Sequence, residues 1–389
     1  MNINARPQNN ESDIMKIVQV SEPRIYGEEI TNVIECLTGG WISSQGRFIE
    51  EFEHKWSAYC GMRYGVAVCN GTVALQLAVK CLDLKPGEEV IMPAYTIISC
   101  ALAVIYNGGI PVLVDADPKT WCMDVSQIEA KITPRTRAIM PVHIFGHPVD
   151  MDVVNQIARK HELVVIEDAA EAHGAGYKGK RCGGLGDISC FSFYANKIIT
   201  TGEGGMVLTS DQKYYERLLS LRNLCFRTEK RFSHVELGHN FRMTNLQAAI
   251  GVGQLEHIND ALDHKLWMKA AYESRLKKLV GLQLPTEKPW ARNVYWMYGV
   301  VLDKSLDIDA AKFAERLLVH GIMTRPFFVG MHEQPVFKKR GIFVDEKYPV
   351  SERIASYGLY LPSGLTLTQN QIDRVCDAVE HELVILKGN

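Results

Sequence analysis

Lys197 follows the run Phe191-Ser-Phe-Tyr-Ala-Asn and precedes Thr200-Thr-Gly-Glu-Gly-Gly205. Small residues let a backbone approach a bound group closely. A lysine partly desolvated there has a lowered pKa and becomes a nucleophile and proton shuttle, able to condense with an aldehyde cofactor. Upstream, Leu163-Val-Val-Ile-Glu-Asp168 reads as a buried strand ending in carboxylates. A carboxylate in that position needs a cationic or hydrogen-bonding partner, and a protonated pyridine nitrogen is one. Lys197 and Asp168 together point to pyridoxal phosphate chemistry. Without Lys197 downstream, Asp168 would read as a helix cap.

Two further stretches fit the same chemistry. Asn70-Gly71-Thr72 sits between a strand and an apolar helix, where free backbone N–H groups bind phosphate; a glycine turn with a threonine cap is the alternative. Tyr95, in Met92-Pro-Ala-Tyr-Thr96, falls at the carboxyl end of a strand, where ligands of open α/β sheets collect. It is read either as a ring stacking on a planar cofactor or as a packing residue.

Two patterns are set aside. Gly174-Ala-Gly176-Tyr-Lys-Gly179 matches a dinucleotide fingerprint in spacing alone, because it enters a Lys/Arg/Gly-rich stretch instead of a helix. His143-Ile-Phe-Gly-His147 has helical metal-ligand spacing, but Gly146 and Pro148 oppose a helix. It is expected to be a loop, and no metal is expected.

The elements that must position these residues follow from alternation. Short apolar runs at Gly65 to Cys69, Glu89 to Met92, Pro111 to Asp115, Arg137 to Met140, Leu163 to Ile166, Ile188 to Phe193 and Gly205 to Leu208 are separated by helical patterns. This predicts an α/β fold around a mostly parallel sheet. One crossover helix is expected over 150–161. Beyond it, helical patterns at 255–279, 309–320 and 368–386 and a strand at 295–302 predict a smaller α+β unit. The expected division is an extension or tag at 1–14, a large cofactor-binding domain at 15–255 and a small C-terminal domain at 256–389.

Composition narrows the function. The 389 residues are 47% hydrophobic and 23% charged, with a formal net charge of -2. No Lys/Arg block forms a nucleic-acid footprint. Ten scattered cysteines without a Cys-x-x-Cys pair, no apolar leader core and no membrane-length apolar run point to a reducing cytoplasm.

With these residues in order, the chain resembles the sugar aminotransferases of the DegT/DnrJ/EryC1/StrS family, members of the fold-type I pyridoxal-phosphate enzymes. The matching motifs run from about Ile25 to the C-terminus. They are Asn70-Gly-Thr72, Pro93-Ala-Tyr-Thr96, Glu167-Asp-Ala-Ala-Glu-Ala-His-Gly174, Gly186-Asp-Ile-Ser-Cys-Phe-Ser-Phe193, Asn196-Lys197, Thr201-Gly-Glu-Gly-Gly205 and Gly238-His-Asn-Phe-Arg-Met-Thr-Asn-Leu-Gln-Ala-Ala249.

The resemblance implies Lys197 as the Schiff-base lysine and Asp168 as partner of the pyridine nitrogen. It implies Tyr95 stacked on the ring, Gly71, Thr72 and Ser192 at the phosphate, and Glu171, where many relatives carry Gln, near the phenolic oxygen. Asn240 would reach the phosphate from the neighbouring subunit, implying a homodimer with shared sites and leaving open whether dimers pair into tetramers. Relatives that remove a sugar hydroxyl carry histidine in place of Lys197, so the lysine favours amino transfer. L-glutamate would give up its amino group, leaving pyridoxamine phosphate and 2-oxoglutarate, and a keto-sugar would then receive it.

Within the family, 193–206 and Arg325-Pro-Phe-Phe328 with His332 look most like members that aminate C4 of a GDP-linked 4-keto-6-deoxymannose. Arg242, Arg325 and His332 are the candidates for the sugar-nucleotide side. The alternatives are a UDP- or dTDP-linked 3- or 4-keto sugar, a cyclitol ketone, a non-catalytic cofactor-binding regulator, and a nicotinamide oxidoreductase.

Overall fold

In the computed structural model, which describes residues 17–227, 230 and 232–388, the apolar runs form one seven-stranded sheet. The expected extension at 1–14 lies outside the described residues. Across the sheet the order is Tyr64–Val68, Gly205–Thr209, Ile188–Ser192, Val164–Asp168, Thr136–Ile139, Glu89–Pro93 and Ile110–Val114. Only Gly205–Thr209 runs against its neighbours. Each strand lies within a residue or two of its predicted span, because strands covered by helices on both faces are apolar throughout. Glu89–Pro93 and Gly205–Thr209 are buried along their whole length.

The strand ends define where a ligand can sit. Val68, Pro93, Asp168 and Ser192 are the carboxyl ends of parallel strands, and Gly205, the start of the reversed strand, pairs with both Val68 and Ser192. One edge of the sheet thus collects the Asn70-Gly71 turn, the Thr96-Ile97 turn, Asp168 and the turn that carries Lys197.

A second sheet has the antiparallel order Leu282–Gln283, Tyr298–Leu302, Gly358–Leu361 and Arg325–Pro326. It packs with helices Ile258–Leu276, Ala310–Val319 and Gln369–Gly388 around a separate core that includes Tyr272, Tyr298, Phe313 and Ile372. Val18 belongs to this core and bridges Ile322, so the N-terminal segment packs with residues far along the chain.

Two predicted elements change on folding. The helix expected over 255–279 is Ile258–Leu276, and Leu255 and Glu256 instead end the preceding helix Asn245–Glu256, with a break at His257 (φ -106°, ψ 14°). The strand expected from Tyr295 begins at Tyr298. Tyr295 has φ 48°, and the amide of Trp296 turns away to the Phe145 carbonyl, at 2.9 Å. The 143–147 stretch is a single helical turn with Phe145 at φ 52°, and the 174–179 glycines belong to a hairpin of Gly176–Tyr177 with Lys180–Arg181. Among the described residues, no helix is long and apolar enough to cross a membrane.

Candidate active site

A cavity of about 650 Å³ opens at this sheet edge, and seven of the predicted residues line it: Gly71, Thr72, Asp168, Glu171, Ser192, Lys197 and Arg325. Local hydrogen bonding explains how each is held.

Asn70 caps helix Gly71–Lys80 through Oδ1, which accepts from the Val73 amide at 3.0 Å. The amides of Gly71 and Thr72 are first-turn donors without an intrahelical partner, directed where an anion binds. A methyl group on Gly71 would lie 2.6 Å from Ser192 Cβ, so glycine keeps this cradle open. Thr72 Oγ1 lies 2.9 Å from Ser99 Oγ, adding hydroxyls to the same wall. Gly205 serves a different purpose from the one read in the sequence. A side chain there would strike the Asn70 carbonyl, so the glycine admits the Asn70-Gly71 turn and not a ligand.

Asp168 ends its strand fully fixed. Its amide donates to Pro141 O (2.9 Å), its carbonyl accepts from His143 N (3.1 Å), Oδ1 accepts from Ala170 N (3.0 Å) and Oδ2 accepts from the Cys100 thiol (3.1 Å). At 2% exposure with no salt-bridge partner among the described residues, its carboxyl is pushed upward by burial. A cation placed against it would be strongly favoured.

Lys197 sits in a tight turn: its amide donates to Tyr194 O at 2.9 Å, and Phe193 O accepts from Thr201 N and Thr200 Oγ1. The side chain, 10% exposed, brings Nζ to 3.9 Å from Glu171 Oε1 and 3.7 Å from the centre of the Trp296 ring. Burial pushes the lysine down and Glu171 up, each shift opposed by the other's charge. Glu171 is steadied by the Phe145 amide, 2.8 Å from Oε2.

Four predicted residues lie elsewhere. Tyr95 is fully buried against Phe145, Phe327 and Phe328, and is absent from the cavity wall. The exposed Ile97, two residues on, takes that place. His332 is buried beside Tyr348, with Nε2 3.1 Å from Glu352 Oε1, outside the cavity. Arg242 lines a separate cavity with Trp41, Ser43 and Asn223, where it donates to Ser44 Oγ and Asn223 Oδ1. Asn240 is exposed in the preceding loop. Conversely, Ser99, Asn196, Trp296, Phe328 and Tyr360 line the main cavity and were not picked out as site residues. Asn196 and Phe328 fall within the Asn196-Lys197 and Arg325-Pro-Phe-Phe328 motifs. Trp296 and Tyr360 come from segments about 100 or more residues downstream of Lys197, so no local pattern marks them.

The donor set fits pyridoxal 5'-phosphate: an open anion cradle at a helix start, a buried carboxylate without a cation, and a desolvated amine share one cavity. Comparison with known proteins agrees. Residues 23–380 match the DegT/DnrJ/EryC1/StrS aminotransferase family. The chain is 43% identical to GDP-perosamine synthase of Caulobacter vibrioides, covering 96% of this chain and 100% of that protein. It is 40% identical to GDP-perosamine synthase of Escherichia coli O157:H7, covering 94% and 98%. The crystal structure of S. venezuelae DesV in complex with a ketimine intermediate superposes with a TM-score of 0.86 at 35% identity, over 92% of this chain and 94% of that one. The protein is therefore an aminotransferase that uses pyridoxal phosphate and belongs to the DegT/DnrJ/EryC1/StrS family.

Proposed function

We propose that the protein moves an amino group from L-glutamate to C4 of GDP-4-keto-6-deoxy-D-mannose, giving GDP-perosamine for lipopolysaccharide O-antigen, in the cytoplasm and as a homodimer. The observation that carries amino transfer is the Lys197 amine on the cavity wall, 3.9 Å from Glu171. The acceptor rests on relatives that carry the name GDP-perosamine synthase.

Pyridoxal phosphate, when bound, supplies an aldehyde that condenses with amines and a ring that accepts the electron pair of a broken Cα–H bond. In this reading the amides of Gly71 and Thr72 and the hydroxyls of Thr72, Ser99 and Ser192 hold its phosphate. Asp168 holds its ring nitrogen protonated. Lys197 would anchor the group, and its Nζ would hold the proton that amino transfer moves. Glu171 favours the protonated form of that amine. Arg325 is the cation on the cavity wall available to a diphosphate. Ile97, Trp296, Phe328 and Tyr360 exclude water.

Helix Glu28–Gly39 leaves Ile30, Ile34 and Leu37 exposed, and Trp41 and Ile42 extend the apolar face. A contiguous patch of this kind supports a second copy docking there. Asn240 and Arg242, outside this chain's main cavity, then serve the neighbour's site.

The test is a visible spectrum of the cofactor-loaded protein before and after L-glutamate, followed by mass spectrometry with GDP-4-keto-6-deoxymannose. Bleaching by glutamate, recovery with the sugar and an aminated product are expected. Bleaching without recovery would reject this acceptor, and absence of any cofactor band would reject the site assignment.

A further inference from the structure

Lys265 lies mid-way along helix Ile258–Leu276 and is 2% exposed. A lysine this deep is ordinarily paired with a carboxylate. None of the described residues forms an ion pair with this one, and desolvation alone pushes it down to about 7. Its partners are two backbone carbonyls: Nζ donates to Trp296 O at 2.9 Å and to Ser363 O. Both protonation states of the amine carry the two hydrogens these carbonyls accept. A methionine would fill the same volume without the desolvation penalty, so packing alone does not account for a lysine here.

The carbonyl it holds belongs to the residue that covers Lys197. The indole of Trp296 stands 3.7 Å from Lys197 Nζ, and its Nε1–H donates to Asn196 O at 2.7 Å, the residue before Lys197. The amide of Trp296 donates to Phe145 O at 2.9 Å. Trp296 is thus tied at its amide and its ring, and Lys265 ties the carbonyl. Tyr272, two turns along the same helix, fixes the neighbouring strand end by donating to Pro362 O at 2.8 Å, and Ser363 Oγ accepts from Tyr298 N at 2.9 Å. One helix therefore ties Trp296 to the end of the second sheet.

We propose that Lys265 is a positioning residue for the reactive amine: by holding the main chain of Trp296, it keeps the indole against Lys197 Nζ, so that this amine stays desolvated and fixed in the cavity. The inference rests on Lys197 being the reactive amine, as in the functional reading above, but needs neither the sugar nor the donor to be correct.

The experiment is competitive acylation of the full-length, cofactor-free protein across the titration range of lysine, with incorporation at Lys197 read by mass spectrometry. Lys265→Met should raise the midpoint of Lys197 labelling by about one pH unit, because the amine regains water. Single-turnover reaction of the loaded protein with L-glutamate should slow about tenfold, with less change in the half-saturating glutamate concentration. Lys265→Arg, which keeps donors for both carbonyls, should restore both readings. A Lys265→Met protein with lowered thermal stability but a wild-type labelling midpoint would reduce Lys265 to a packing residue and overturn the proposal. So would failure of Lys265→Arg to restore the midpoint. If Lys265→Met does not fold, Trp296→Phe decides: an unmoved Lys197 midpoint breaks the link between indole and amine, and a raised one supports it. Because the labelling requires no cofactor or substrate, a wrong acceptor sugar leaves it interpretable.

Discussion

The thiol of Cys100 donates to Oδ2 of Asp168 across 3.1 Å, with both side chains buried. The second carboxylate oxygen takes the Ala170 amide. Burial and the nearby negative charge both push the thiol well above its ordinary range, so Cys100 keeps its proton and acts as a hydrogen-bond donor, not a nucleophile. A hydrogen bond to a charged group is worth about 1.5–3 kcal/mol. We predict that Cys100→Val, which removes the donor at similar volume, lowers the rate of the glutamate half-reaction about tenfold, while Cys100→Ser stays near wild type. Stopped-flow spectra of the two variants give the comparison, and equal rates would show that the thiol does not steady Asp168.

Gly71 and Ser192 leave room for an anion and little else. Gly71→Ala places a methyl 2.6 Å from Ser192 Cβ, and overpacking of this kind costs about 1–3 kcal/mol. The expected result is weaker binding of pyridoxal phosphate by about tenfold or more, since the cradle closes over donors worth 1.5–3 kcal/mol each, roughly. Fluorescence titration of the cofactor-free protein measures it. Unchanged affinity would move the phosphate site away from this helix.

Glu171 acts on Lys197 through charge. Its carboxylate raises the lysine pKa against the downward push of burial. Glu171→Gln removes the negative charge, so Lys197 loses its proton more readily and the free amine persists to lower pH. The acid limb of the glutamate half-reaction should shift to lower pH, with the plateau rate retained. A shift upward would contradict the sign of this coupling.

For Lys265, linkage gives a stability signature. Burial depresses its folded pKa to about 7 from the ordinary lysine value of 10.5. Between those values the unfolded chain binds the extra proton, so stability rises with pH across that window and is lost as pH falls through about 7. The urea midpoint of wild type relative to Lys265→Met should therefore climb above neutrality and stay flat below it. A difference independent of pH would mean that Lys265 keeps its ordinary ionisation.

Shared sites make a mixing prediction. Lys197→Ala should abolish transfer with the fold intact, and Asn240→Ala should weaken cofactor retention. If Asn240 completes the neighbour's site, mixed dimers of the two variants contain one intact site each. Random pairing then restores about a quarter of wild-type activity. Absence of recovery would place Asn240 outside the partner's site.

How much of this was legible before folding depended on the range of the signal. The seven strands of the main sheet could be read because each is a short, locally apolar run between turns. The Gly71 turn, Asp168 and Lys197 could be read because each is the first or last feature of such a run, so local order along the chain put them at one sheet edge. Tyr95 shows where that reasoning ends. Strand position brought it to the correct edge, but the direction of its ring depended on Phe145, Phe327 and Phe328 packing behind it, and Ile97 faces the cavity instead. Within this chain His332 and Arg242 bond to Glu352 and Asn223, 20 and 19 residues away and on other segments of the fold.

Sequence by itself determined the sheet, the anion turn and the amine with its carboxylate, because φ/ψ preference, burial and chain order are local properties. Tertiary structure alone decided which rings wall the cavity, which thiol steadies Asp168 and which carbonyls hold Lys265. Those contacts join Cys100 to Asp168 and Lys265 to Trp296 and Ser363. They exist only once strands and helices far apart in sequence have been packed side by side.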